Sequence, residues 1–236
     1  MLLYFIRHGD PIYDPDSLTD KGKLQAELLS ERLSEFKIDK IYSSTSERAL
    51  QTAMPTAKKL ALNICKLDWC NEKYAGEEFS IQRKSGSVWM FEDEPTLKVF
   101  NKKEIRQLDD LWYEDSYFRQ SGAKSGMLRI NKQVDEWIKT FGYKHDRENH
   151  KYISVDRHPE RIALFAHGGF GMAFLSSLLD IPYPLFCLHF QYSGLSCMTV
   201  IDFSGNEEIC PKIVEYSNDS HLYKANLKPY HYYREF

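Results

Sequence analysis

Cysteine is scarce and unpatterned in this chain, which already removes several classes of protein. The five cysteines among 236 residues stand at Cys65, Cys70, Cys187, Cys197 and Cys210. They are odd in number and never spaced as Cys-x-x-Cys, which argues against a disulfide framework and against a zinc site. A reducing cytoplasm is the expected compartment. A basic excess is also missing, with 31 Lys and Arg against 34 Asp and Glu and a net charge of -3. A dedicated nucleic-acid binder usually carries the opposite balance, so no nucleic-acid partner is expected. Long apolar runs are lacking as well. The stretch Met1 to Ile6 is too short for a signal peptide or a membrane span and ends at Arg7, so no membrane partner is expected either. No internal repeat or low-complexity segment occurs.

What is present reads as a folded protein. Hydrophobic residues make up 42% and charged residues 28% of the chain, a composition that can bury a core of ordinary size. Leu2 to Ile6 is a continuous apolar run of strand length, as in a central strand covered on both faces. Thr19 suits the N-cap of a helix whose stripe is Ala26, Leu29, Leu33 and Phe36. A second short strand, Ile41-Tyr42, ends in the serine-rich turn Ser43-Ser44-Thr45-Ser46, and a helix follows with Ala49, Leu50, Ala53, Ala57 and Leu60 facing inward. Pro55 is expected to kink that helix. Arg161 to Ala166 reads as a further buried strand that leads into an apolar helix around Met172 to Leu179. Ser196 to Phe203 and Ile209 to Tyr216 read as two final strands joined by a Ser204-Gly205-Asn206 turn. The tail Pro229 to Phe236 receives no assignment.

Alternating strands and helices predict an α/β fold: a three-layer sandwich with a mostly parallel central sheet and helices on both faces. The expected organisation is a single domain, 1–236, with a mainly helical insertion at about 79–127. That insertion carries Trp89, Phe91, Phe100, Trp112, Tyr113, Tyr117 and Phe118, and it reads either as an element over the binding site or as a small satellite core. In open α/β sheets ligands bind outside the carboxyl ends of the strands. His8, the serine turn before Arg48, and His167 each follow a predicted strand, so they are expected on one edge.

Arg7-His8-Gly9 directly after the first strand resembles the signature of the histidine phosphatase superfamily, also called phosphoglycerate mutase-like. Other stretches match in the same order. Leu18-Thr19-Asp20-Lys21-Gly22 is similar to the family's helix start. Ile41-Tyr42-Ser43-Ser44 with Arg48-Ala49 and Gln51-Thr52-Ala53 is similar to its second motif, and Ala166-His167-Gly168-Gly169 to its second histidine motif. The matches frame 1–76 and 161–203. The resemblance implies a phosphomonoesterase in which His8 attacks phosphorus and becomes phosphorylated, without metal or cofactor. The physical roles fit: Arg7 and Arg48 offer permanently charged, planar forks of donors to a phosphate, and His167 offers a donor to a phosphoryl oxygen. His8 must present one unprotonated nitrogen while the other is held by a carbonyl or carboxylate. Glu72, four residues before Gly76, is similar to the family's proton-donor motif, with Glu77 and Glu78 as rivals.

One departure concerns specificity. The family's mutases place an asparagine where this chain has Asp14, and a carboxylate there would repel a phosphate, which favours hydrolysis of a small phosphorylated metabolite over mutase-type transfer. A catalytically silent module that only holds a phosphorylated ligand stays as an alternative, and a homo-oligomer stays open. A metal hydrolase built on His145, His150 and His158 is disfavoured, because these lie in a polar stretch without helical ligand spacing and read as a solvated loop.

Overall fold

The computed structural model describes residues 1–156, 160–205 and 207–228. His158, Asn206 and the tail Pro229 to Phe236 therefore lie outside the described residues. The first strand, β1 (Leu2–Arg7), sets the architecture by alternation. Successive side chains of a strand point to opposite faces, and here Leu3 and Phe5 enter one hydrophobic core while Tyr4 and Ile6 enter another. A strand apolar on both faces is stable only between two covering layers.

The chain continues through a small hairpin, β2 (Pro11–Tyr13) and β3 (Asp16–Leu18), into α1 (Asp20–Ser34), β4 (Lys40–Ser44), α2 (Glu47–Leu60) and β5 (Ile64–Leu67). Next come α3 (Glu72–Glu78), the hairpin β6 (Ser80–Arg83) and β7 (Gly86–Trp89), and the short helices α4 (Glu94–Phe100) and α5 (Lys103–Leu108). The long α6 (Ala123–Lys139) leads to β8 (Tyr143–Asp146), β9 (Lys151–Ser154), β10 (Arg161–Ala166), α7 (Gly168–Leu179) and α8 (Tyr183–His189). The described chain closes with β11 (Met198–Asp202), β12 (Glu208–Ile209), β13 (Lys212–Asn218) and a final helical turn over Ser220–Ala225.

Six strands form the central sheet in the order β13-β11-β1-β10-β4-β5. β1, β10, β4 and β5 run parallel, and β11 and β13 are antiparallel at one side. Residues of α1 and α2 (Leu29, Leu33, Ala53, Ala57) share one core with Tyr4, Ile6, Ala163 and Phe165. Residues of α6 and α7 (Ile130, Val134, Trp137, Phe170, Phe174) share the other with Leu3, Phe5 and Leu164. The protein is thus an α/β fold with a mixed, mostly parallel sheet and helices on both faces. Among the described residues no single helix is long and apolar enough to cross a membrane.

Three expectations change. The last two strands do not form one hairpin: β11 and β13 pair directly, but Glu208 and Ile209 between them leave the main sheet to pair with β9. The segment 79–127, mainly helical as expected, opens with the β6–β7 hairpin, and its end already belongs to α6, whose Met127, Ile130, Val134 and Trp137 are buried at helical spacing. His145 is not in a solvated loop. Its side chain is fully buried in β8, with Nδ1 2.8 Å from Asp135 Oδ1 and Nε2 2.7 Å from Asp180 Oδ2. Burial alone would lower its pKa, but the two carboxylates more than offset that and raise it. Burying a polar ring is tolerable when both nitrogens are bonded.

The start of α1 presses against the loop that follows β1. Thr19 caps the helix, its Oγ1 accepting from Gly22 N at 3.0 Å. A Cβ on Gly22 would come within 2.3 Å of Asp10 O, which no side-chain rotation relieves. Gly22→Ala is expected to destabilise the protein by about 1–3 kcal/mol through overpacking, read as a lower denaturant midpoint, and to displace Gly9 and Asp10 beside His8.

Candidate active site

The parallel register brings the predicted residues together. β1 and β10 pair Arg7 with Ala166, and β10 and β4 pair Phe165 with Ser43. The next residues, His8 and His167, leave the sheet side by side, and Ser44 lies alongside. Their imidazole centroids are 5.2 Å apart at 60°. The His8 amide donates to Ala166 O at 3.0 Å and its carbonyl accepts from Ser196 N at 3.0 Å, so the residue is anchored on both flanks. Gly9 N donates to Thr52 Oγ1 at 3.0 Å, which ties the loop to α2.

The two imidazoles are held in opposite senses. His8 Nδ1 lies 2.8 Å from Gly9 O. A carbonyl can only accept, so Nδ1 carries the hydrogen and Nε2 keeps its lone pair. His167 Nε2 lies 2.8 Å from Ser44 Oγ and 3.2 Å from Ser46 Oγ, and its Nδ1 lies 3.3 Å from Glu72 Oε2. Nδ1 facing a carboxylate favours the hydrogen there, with a serine hydroxyl donating to Nε2. Both rings are buried. Burial, with Arg7 and Arg48 nearby, pushes His8 down to about 3 even though the Gly9 carbonyl opposes the shift. Burial and the neighbouring His8, Arg48 and Arg7 hold His167 well below the usual histidine range. Both are neutral at pH 7.

A cavity of 380 Å³ opens above His8, lined by Arg7, Tyr13, Arg48, Glu72, Trp89, Phe91, Glu92, Gly168, Gly169 and Tyr192. Arg7 donates from Nη1 to Ser193 O at 2.7 Å and lies 4.8 Å from the centre of the Tyr192 ring. Arg48 donates from Nη1 to Asp16 Oδ1 at 2.8 Å, while its buried Nε has no partner among the described residues. Asp16 also accepts from Glu47 N at 2.8 Å and so caps α2. Ser46, at the N-cap position, makes no cap bond and faces His167 instead. Gly168 and Gly169 stand in the first turn of α7, whose amides lack intrahelical partners and favour an anion. Two guanidiniums, an orphaned N–H and a helix N-terminus converge on one space. That combination suits a phosphate.

Of Glu72, Glu77 and Glu78, Glu72 is the one that reaches this cavity. Its Oε1 accepts from Phe170 N at 3.0 Å, and Gly169 permits the approach, since a Cβ there would meet Glu72 Oε1 at 2.6 Å and the Trp89 ring at 2.5 Å. Glu78 is turned away into paired bonds of 2.6 Å with Arg129, and Glu77 is exposed outside the cavity lining. His8, Glu72 and His167 could each offer a metal one donor, all within 4.8 Å of one another. Arg7 and Arg48 in the same cavity oppose a further cation, so the charge of the site fits an anion better.

One expectation needs correction. Asp14 does not approach the phosphate region: it sits exposed at the turn between β2 and β3, which aims it outward, and Asp16 is the carboxylate that meets Arg48. The argument against mutase chemistry from Asp14 falls with it. His167 is fully buried behind the lining residues, with Nε2 on Ser44 and Ser46 and with Nδ1 3.3 Å from Glu72 Oε2 and in no hydrogen bond among the described residues. The aromatic insertion divides. Trp89 and Phe91 line the cavity, stacked at 5.3 Å, whereas Trp112 is buried among Phe100, Phe118 and Tyr183. Ser44, Ser46, Asp16, Tyr13, Tyr192 and Glu92 had no assigned part in the sequence. The serine-rich turn was the available signal for the first two.

Residues 3–85 match the model of the histidine phosphatase superfamily, branch 1. No curated protein matches the chain. Among solved structures, a phosphoserine phosphatase mutant of Entamoeba histolytica in complex with phosphoserine is similar with a TM-score of 0.59 at 18% identity, covering 94% of this chain and 98% of its own. A mycobacterial glucosyl-3-phosphoglycerate phosphatase with inorganic phosphate is similar with a TM-score of 0.60 at 18% identity, covering 93% and 98%. A protein described as mycobacterial hydrolase 2 is similar with a TM-score of 0.59 at 17% identity, covering 98% of both chains.

A neutral His8 has a consequence for pH. An unfolded histidine takes up a proton near pH 6.5, whereas His8 in the folded protein resists protonation down to about 3. The folded state therefore holds fewer protons across that window, and its stability falls as pH drops from about 6.5 toward 3. NMR of ring-labelled histidine should show His8 neutral from pH 7.5 to 4, and His8→Gln should flatten the loss of stability measured between pH 6.5 and 4.

Proposed function

We propose, from the match of residues 3–85 to the histidine phosphatase superfamily, branch 1, that the chain is a metal-independent phosphomonoesterase of that superfamily acting on a small phosphorylated metabolite. The observation that carries the proposal is the tautomer of His8. With Nδ1–H on the Gly9 carbonyl and the ring neutral, Nε2 is a lone pair at the base of an arginine-lined cavity. A neutral imidazole in that setting is a nucleophile that needs no base to activate it.

In this reading the phosphoryl group lies between Arg7 and Arg48, with the first amides of α7 on its oxygens and His167 Nδ1–H as a further donor. His8 Nε2 attacks phosphorus, the bond from phosphorus to the ester oxygen breaks, and protonated Glu72 gives its proton to the departing alkoxide. Water then attacks the phosphohistidine, its proton returns to the Glu72 carboxylate, and the P–N bond breaks to release inorganic phosphate and restore His8. The arginines carry most of the work, because phosphoryl transfer depends on positioning and charge stabilisation. The similar solved structures named as phosphatases or as a hydrolase support hydrolysis over return of the phosphoryl group to product.

Two measurements test this. The purified protein should release phosphate from an aryl phosphate in the presence of a chelator and yield acid-quenched phosphohistidine, and His8→Ala should do neither. Equal activity in both proteins rules the mechanism out. Glu72→Gln should lower kcat/KM for alkyl phosphates by about 10²–10⁴-fold, the usual contribution of a general acid. The loss should be much smaller for a nitrophenyl ester, whose leaving group departs without a proton. Equal losses for both ester types would remove Glu72 as the proton donor.

A further inference from the structure

We propose that the ester this cavity accepts carries an ammonium group on its alcohol part, received at the cavity mouth by the carboxylate of Glu92. The proposal rests on the phosphomonoesterase reading and names the substrate class of that site.

Two carboxylates line the cavity, Glu72 and Glu92. Glu72 accepts from the Phe170 amide through Oε1 and lies beside His167, the place its proposed role as proton donor requires. Glu92 is exposed, and its carboxylate makes no hydrogen bond or ion pair with any described residue. An unpaired negative charge at the entrance to a phosphate site would repel the dianionic group that Arg7 and Arg48 attract. Such a residue is compatible with binding if the rest of the ligand compensates it, and a cation there does so directly.

The segment that carries Glu92 is fixed before any ligand arrives. Glu92 N and Asp93 N both donate to Trp89 O at 3.0 Å. Asp93 is buried and caps α4 through Thr96 N at 2.9 Å, and it also receives Arg83 Nε at 2.9 Å and Nη2 at 2.5 Å. Arg83 Nη2 further donates to Tyr117 OH at 2.7 Å. With the backbone already in place, only the Glu92 side chain has to be ordered on binding. Beside it stand Trp89 and Phe91, stacked at 5.3 Å, and aromatic surfaces of this kind attract a cation. The cavity, at 380 Å³, is near the lower end of the usual range for small-molecule sites, roughly 300–1,000 Å³, which fits an aminoalkyl ester better than a nucleotide or a phosphopeptide.

A carboxylate can also accept from sugar hydroxyls, and the choice of variant separates the two cases. Glutamine keeps the accepting oxygen and loses the charge. Calorimetric titration with three non-hydrolysable ligands, 2-aminoethylphosphonate, propylphosphonate and 3-phosphonopropionate, reads binding without turnover. The wild-type protein should bind the ammonium ligand more tightly than the neutral one by roughly two- to fivefold at low salt, the range open to an exposed ion pair. The carboxylate ligand should bind weakest, and the spread should narrow as salt rises. Glu92→Gln should bring the ammonium and neutral ligands to equal affinity, and Glu92→Lys should favour the carboxylate ligand. Equal affinity in the wild type, a preference that survives Glu92→Gln, or failure of all three ligands to bind overturns the proposal. Failure of the phosphomonoesterase reading shows separately, as absent phosphate release and absent phosphohistidine while phosphonate binding remains.

Discussion

The site depends on the register of three parallel strands. β1, β10 and β4 end at one level, so that Arg7 pairs with Ala166 and Phe165 with Ser43. Parallel neighbours place their carboxyl ends on the same edge, and here that edge receives two imidazoles, two guanidiniums and the N-terminus of α7. A one-residue slip would turn each strand's side chains to the opposite face. The slip is opposed by the cores themselves, because Leu3 and Phe5 fill one layer while Tyr4 and Ile6 fill the other. The hydrophobic alternation of β1 thus fixes where His8 emerges.

Placement alone does not make two histidines differ. Their partners do. A backbone carbonyl accepts from His8 Nδ1, whereas serine hydroxyls meet Nε2 of His167 and a carboxylate faces its Nδ1. Burial disfavours the charged form of both, and the nearby arginines add to that. The positive charge suited to a phosphate therefore reinforces the burial that keeps its proposed attacker unprotonated. Removing either arginine would weaken phosphate binding and raise the proton affinity of His8 together, so the effects on binding and on nucleophilicity are coupled through one field.

The sequence carried the strand ends well, because a buried parallel strand is a local apolar run and the residue after it is read by counting. His8, Arg7, Arg48 and His167 were legible in that way, and the Arg7-His8-Gly9 context made them specific. What failed to show was set by tertiary direction. Asp14 and Asp16 are two positions apart in one hairpin, and only the turn decides that Asp16 meets Arg48 while Asp14 faces water. His145 looked solvated because its partners Asp135 and Asp180 lie on other elements, remote in sequence. The stripe of Met127, Ile130, Val134 and Trp137 in α6 was present in the sequence, but the charged and aromatic residues preceding it blurred its start.

The aromatic insertion has two physical tasks that its composition could not separate. Trp112 is buried with Phe100, Phe118 and Tyr183, which joins the segment, against α8, to the core that also holds Leu3 and Phe5. That packing supports the short stretch from Trp89 to Asp93, where the rings of Trp89 and Phe91 and the carboxylate of Glu92 reach the cavity. The Arg83 to Asp93 pair joins the two tasks, linking the hairpin to the cap of α4. The sheet edge therefore supplies groups suited to the phosphoryl moiety that all such esters share, and the insertion supplies groups that meet the part by which they differ.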